Sequence, residues 1–463
     1  MTLPVAETGS RSQGQPLRLA AWLALGATYG GLSSPTPDII GIAEMVVGGL
    51  LIATVGIQSL KKFAEVARPR SATADRSLAD LGLATLLATL PLLVGIGRGN
   101  HPADIARDLI PALYFLIPLL IVRAGCPHQP IIPALTASLL VAGSAFSVRH
   151  MLSDDFSLAS LGTQTFYGSM DYFVLDPAVL FTAAFGLSLF LLTLLDRPTP
   201  LRILLGVLLC TAPIMAIGAT VIRSQIGILL AIGLFCILRS LRISLASLIG
   251  IVLAMAIFTL ALLLFGDHLS GLFDLIERKQ AAVGLANGRM LEIHAVWSEM
   301  TARWDLLLFG KGWGGTIVHP LGLAGQEWRF VHVFPLYLLM KVGLTGIAIL
   351  APLLLHLARA ALTLLRQPGL PVAERAMALG CTASILVNVT VSAGFKMLSI
   401  GLVTALLLSL SARHRHQPRI TPTLSSPHRP VVTVLPPGLP AQTVGAAPRR
   451  NAENRTRPAP AAR

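Results

Sequence analysis

Three basic side chains sit where polar sequence meets an apolar run. Arg223 lies in GATVIRSQIGILLAI, Arg289 follows Asn287-Gly288, and His332 opens VHVFPLYLLMKVGLTG. A guanidinium stays charged and stabilises an anion without a metal, while an imidazole titrates near ~6.5 and can take a proton from a hydroxyl. Charged groups at membrane depth are costly unless they are paired or face water, which makes each of the three a candidate for function. Each also has a plainer reading. An arginine at the end of a span snorkels to headgroups, a long loop carries solvated charge in any case, and a lone histidine packs at an interface.

Arg289 and His332 bracket most of a polar stretch of about sixty-five residues, 267–331, that separates two long apolar runs. Within it, Gly288 to Trp304 reads as helix, because Met290, Ile293, Val296, Trp297 and Met300 recur at three- and four-residue spacing. Leu269 to Leu285 has the pattern of a helix lying on the membrane surface. The GKGWGG segment at 310–315 lacks the Lys-Ser/Thr ending of a phosphate-binding loop and is expected to be a tight turn. Trp297, Lys311, Trp313 and Arg329 are further candidates for substrate binding, with His294 and His319 as alternative bases. No metal site is indicated. Asp154 and Asp155 are adjacent on a loop and point different ways, and Cys126, Cys210, Cys236 and Cys381 have no zinc or disulfide spacing. No cofactor motif is present either.

Composition decides the class of element that must hold these groups. The chain is 54% hydrophobic and only 13% charged, with a mean hydropathy of +0.72. That is too apolar for a soluble domain of this length, so the expected fold is all-α, a polytopic transmembrane helical bundle. The formal charge of +14 does not argue for a nucleic-acid partner, because residues 413–463 hold nine arginines against the single acid Glu453. That tail, rich in Pro, Ala and Arg without apolar period, is expected to be disordered and to face anionic membrane lipids.

Runs of roughly 20 apolar residues, enough to cross ~30 Å of hydrocarbon, recur through the first 412 residues. About twelve spans are expected, near 18–34, 39–60, 78–97, 109–124, 130–148, 177–195, 201–220, 225–239, 243–266, 332–357, 376–394 and 398–412. Lysines and arginines cluster in alternate connections, including Lys61, Lys62, Arg197, Arg239 and Arg366, and on the basic tail. By the positive-inside rule both termini are cytoplasmic and the central loop faces the other compartment. The organisation expected is a cytoplasmic segment 1–17, spans over 18–266, a large outer loop 267–331, spans over 332–412 and the tail 413–463.

The order of these features resembles the O-antigen ligase and O-antigen polymerase superfamily. An arginine opens a span, a long outer loop carries a second arginine, Phe309-Gly310-Lys311-Gly312-Trp313-Gly314 follows, and His332 leads into Leu-Tyr-Leu and GLTG. The likeness is strongest over about residues 200 to 360. It departs at Ile222, Ser224 and Val333, and in the displacement of the loop tryptophan to Trp297.

The resemblance implies a multi-pass enzyme of the bacterial inner membrane with a periplasmic loop. Its donor would be an undecaprenyl-diphosphate-linked glycan, and its acceptor lipid A core or a second lipid-linked glycan. It further implies Arg223 and Arg289 on the diphosphate, His332 as base, and no metal. A polysaccharide-lipid flippase or other secondary transporter is the competing expectation. Such proteins often carry ionisable groups within spans, and here those are nearly confined to Glu44, Lys341 and Asp80.

Overall fold

The computed structural model describes residues 15–34, 41–55, 89–114, 117–118, 121, 131–152, 172–196, 198–220, 222–240, 289–318, 327–329 and 331–416. All belong to the compact unit Met1–His416. The expected span at 243–266, the start of the one at 78–97, the surface helix at 269–285, Asp80, Asp154, Asp155, His319 and the tail from 417 lie outside the described residues.

The described chain is mostly helical. The first half contributes α1 (Gln15–Leu32), α2 (Ile42–Val55), α3 (Pro102–Tyr114), α4 (Ile131–Met151), α5 (Pro177–Asp196), α6 (Pro200–Thr220) and α7 (Arg223–Ser240). The second contributes α8 (Arg289–Thr301), α9 (Trp304–Phe309), α10 (Phe334–Arg366), α11 (Val372–Thr390) and α12 (Leu398–His416). Five of these, α4, α5, α6, α10 and α11, are long and apolar enough to cross a membrane, and α1, α2 and α12 contain shorter apolar stretches.

Several helices start where the sequence makes starting cheap. Proline opens α3, α5 and α6, at the position where a missing N–H costs nothing. Asp176 caps α5: its Oδ1 accepts the Ala178 N–H at 2.8 Å and the Ser399 hydroxyl at 2.6 Å, and its Oδ2 accepts the Tyr29 hydroxyl at 2.6 Å. One buried carboxylate thus ties α1, α5 and α12 together. The α5 helix is the axis of the bundle, packed by α4, α6, α7 and α11, with nearly every side chain from Pro177 to Leu195 buried. That leaves no face of α5 for lipid, which explains why its sequence is apolar all round.

Two boundaries differ from the sequence reading. The connection left between the spans expected near 78–97 and 109–124 is partly helix, because α3 starts at Pro102 and buries Ile105 and Asp108 on one side. The α10 helix runs on to Arg366, giving 33 residues or ~50 Å of length against the ~30 Å a bilayer core needs. The helical geometry breaks inside it at Gly343, where φ is 65° and ψ is −170°.

Above that break a second apolar cluster forms, distinct from the bundle core. Val296 and Met300 of α8, Leu306 of α9, Trp313, Ile317 and Val331 pack with Phe334, Tyr337 and Leu338 of α10. A two-residue ribbon, β1 (Ile317–Val318) paired antiparallel with β2 (Glu327–Trp328), closes its edge.

Candidate active site

The α8 helix presents Glu292, Val296 and Met300, at i, i+4 and i+8, to the interior. Glu292 is the residue around which the site forms. Its Oε1 lies 2.7 Å from His332 Nδ1, and its Oε2 accepts the His332 backbone N–H at 3.0 Å. Arg289, one turn earlier, donates to Glu292 Oε1 at 3.4 Å and to the Val391 carbonyl at the end of α11 at 3.2 Å. Arg289 and His332, 43 residues apart in sequence, therefore meet through a single carboxylate.

The electrostatics follow from that geometry. Burial pushes the Glu292 carboxyl up, but the hydrogen bond and charge of His332, the His332 N–H and the charge of Arg289 outweigh it, and the carboxyl is held below the usual range. Burial lowers Arg289, opposed by Glu292, and a guanidinium stays protonated regardless. An ionised carboxylate only accepts, so Nδ1 is the ring nitrogen that carries a proton toward Glu292. The His332 side chain is 38% exposed, while Glu292, at 5%, stays covered.

Arg223 does not join this cluster directly. It opens α7, is half-buried, and forms no hydrogen bond or ion pair among the described residues. It does lie at the same end of the bundle. Gln225, two residues on, donates to the Val174 carbonyl at 3.2 Å, and a Cβ on Gly394, just past α11, would stand 2.8 Å from the Leu175 carbonyl.

The other sequence candidates separate. Trp297 is on the outward side of α8 and exposed, and His294 beside it is exposed too. Lys311 pairs with Glu299 and donates to the Thr316 carbonyl at 2.6 Å. Arg329 pairs with Asp104 at 2.9 Å. Trp313 is enclosed in the second apolar cluster, at 3% exposure.

The glycine segment is a turn whose purpose is backbone contact. The break at Gly343 leaves the carbonyls of Met340 and Lys341 without helical partners, and the N–H groups of Lys311 and Gly312 donate to them at 2.7 and 3.0 Å. A Cβ on Gly310 would fall 2.5 Å from the Lys341 carbonyl carbon, and one on Gly343 2.4 Å from the Leu308 carbonyl oxygen. Both residues have positive φ, so glycine is needed on conformational grounds as well.

Beneath the turn lies an ion pair. Lys341 donates to Asp108 Oδ2 at 2.5 Å and to the Gly315 carbonyl at 2.6 Å. Asp108 also accepts the Gly314 N–H at 2.8 Å and the Tyr337 hydroxyl at 3.3 Å.

Sequence reasoning missed Glu292 and Asp108. The first could have been found as an acid one helical turn after a candidate arginine. The second sat in an expected loop, with nothing to pair it with Lys341. Among the described residues no group of three or more His, Cys, Asp or Glu side chains could hold a metal. The sequence matches no protein-family model and no curated protein.

Proposed function

We propose that this chain is a membrane glycosyltransferase that moves a glycan from an undecaprenyl-diphosphate carrier to an acceptor hydroxyl in surface-polysaccharide assembly, as an O-antigen ligase or polymerase does. The carrying observation is the Arg289–Glu292–His332 cluster at one end of a bundle of apolar helices. In this reading the bundle has about twelve spans in the bacterial inner membrane, both termini are cytoplasmic, and the cluster faces the periplasm.

The acceptor oxygen attacks the anomeric carbon and its proton passes to His332 Nε2. The bond from that carbon to the diphosphate breaks, and its electron pair leaves on the phosphate oxygen. Glu292 fixes the tautomer of His332 and offsets the positive charge the ring acquires. Arg289, with Arg223 from the start of α7, meets the charge that grows on the departing diphosphate, a role worth about 2.7–4 kcal/mol where a single such donor has been removed.

Transport is the rival reading, and the buried Lys341 is the observation that favours it. Two features support transfer instead. Lys341 is neutralised by Asp108 and fastened to Gly315. Glu44 sits in the first turn of α2, where it accepts the Gly41 N–H at 2.9 Å and the Ser33 hydroxyl at 3.0 Å.

The test is alanine replacement of Arg223, Arg289 and His332 singly, with membrane levels checked and glycan transfer from a lipid-linked donor measured. Loss of transfer is expected in each, without sensitivity to chelation. Full activity in all three removes the assignment, as does movement of unaltered lipid-linked sugar across liposomes by the purified protein.

A further inference from the structure

The α8 helix has two working faces, and only the inner one is used by the cluster. On the other, Met290, Ile293 and Trp297 recur at three- and four-residue spacing and are exposed, Trp297 by 56%. Next around the helix come His294, Ser298 and Thr301, exposed and polar. The α9 helix that follows exposes two more apolar side chains, Trp304 by 73% and Leu308 by 39%. An apolar stripe bordered by polar residues and bearing two tryptophans is the composition of an element that lies in a membrane interface.

The level of this stripe can be read from its attachments to α10. Leu308 abuts Gly343, and the following turn bonds to Met340 and Lys341. Below the break, α10 carries the uncharged run Leu344 to Ala358, ~22 Å long at ~1.5 Å rise, with Arg359 beyond it able to reach the far headgroups. The stripe therefore stands near the other end of that apolar run. Charge agrees with that height. Arg98 and Arg303 converge on Asp305 beside Trp304, at 2.9 and 3.0 Å, so two guanidiniums share one carboxylate and leave net positive charge where lipid phosphates would be.

We propose that α8 and α9 are seated in the headgroup layer of the membrane, with Trp297 and Trp304 as anchors and the Arg98–Asp305–Arg303 group facing lipid phosphates. The partner is the phospholipid surface. The seating goes beyond the transfer reaction and does not depend on it.

Emission of these two tryptophans tests the proposal in the full chain reconstituted into phosphatidylcholine vesicles. Subtracting the spectrum of a Trp297→Phe/Trp304→Phe double variant from that of the wild type isolates them. Single Trp297→Tyr and Trp304→Tyr variants serve if the double variant does not accumulate. The expected difference spectrum is blue-shifted, loses intensity with lipids brominated near the headgroup end of the acyl chain, loses less with bromine near the bilayer centre, and is spared by aqueous iodide. Quenching by iodide but not by brominated lipid would place the stripe in water and overturn the proposal. Protection from both would mean that protein covers it, which overturns the proposal equally.

Discussion

Replacing Glu292 with glutamine removes one charge and almost no volume, and the geometry says what should follow. The carboxylate accepts two donors from His332, the ring at 2.7 Å and the backbone N–H at 3.0 Å, one on each oxygen. An amide has one oxygen and one NH2 group, so one of those donors must face another donor. If the NH2 group meets the ring, Nδ1 has to accept, the proton moves to Nε2, and the atom that should take the acceptor's proton is already occupied. If it meets the backbone, a covered N–H loses its partner at a cost of about 1–3 kcal/mol.

In either case the charge that would offset an imidazolium is gone. At ~4 Å and an effective dielectric of ~20 that attraction is about 4 kcal/mol. The ring is 38% exposed, and allowing for water around it roughly halves the figure, to about 2 kcal/mol, or about 30-fold in rate. The assay is steady-state transfer from a synthetic undecaprenyl-diphosphate glycan, normalised to folded protein in the membrane. The loss should fall in kcat with KM little changed. A Glu292→Gln enzyme with wild-type kcat, or one impaired in KM alone, would refute the role given to Glu292.

Asp108→Ala strands the buried Lys341 ammonium and should cost about 3–5 kcal/mol, whereas Asp108→Asn combined with Lys341→Met should cost less than either change alone; thermal unfolding in detergent compares them. Gly343→Ala forces a side chain into a conformation that only glycine adopts freely, at about 1–3 kcal/mol, and pushes a Cβ against the Leu308 carbonyl, so both melting temperature and transfer should fall. Because the Glu292 carboxyl is held below its ordinary range, its contribution is complete above the unfolded value of about 4.3 and is lost as pH falls through the lower folded value. Pepsin cleavage within 289–301 should accordingly accelerate only in that acid window.

The apolar runs were readable because membrane helices must satisfy their backbones internally over a fixed thickness, and α4, α5, α6 and α7 fall within a few residues of the runs that announced them. The helix at 289–301 was readable from its period. Less visible was anything set by contact between distant segments. Asp108 drew no attention because its partner is 233 residues away, and Glu292 none because the histidine it holds is 40 residues on. The glycines of 310–315 announced a turn, but not that the turn exists to meet carbonyls freed by a break in another helix. Trp313 shared its neighbourhood with candidate ligands and turned out to be core.

The break at Gly343 makes one backbone joint serve two tasks. His332 stands two residues before the short helical segment that precedes the break, and Glu292 reaches it from a helix whose Arg289 is fastened to the Val391 carbonyl at the end of α11. The N–H groups of Lys311 and Gly312 hold the carbonyls of Met340 and Lys341, and Gly343 lies against the Leu308 carbonyl, so the segment that follows α8 and α9 is clamped to the helix that follows His332. Imidazole and carboxylate are thus held in register by main chain as well as by their own hydrogen bond.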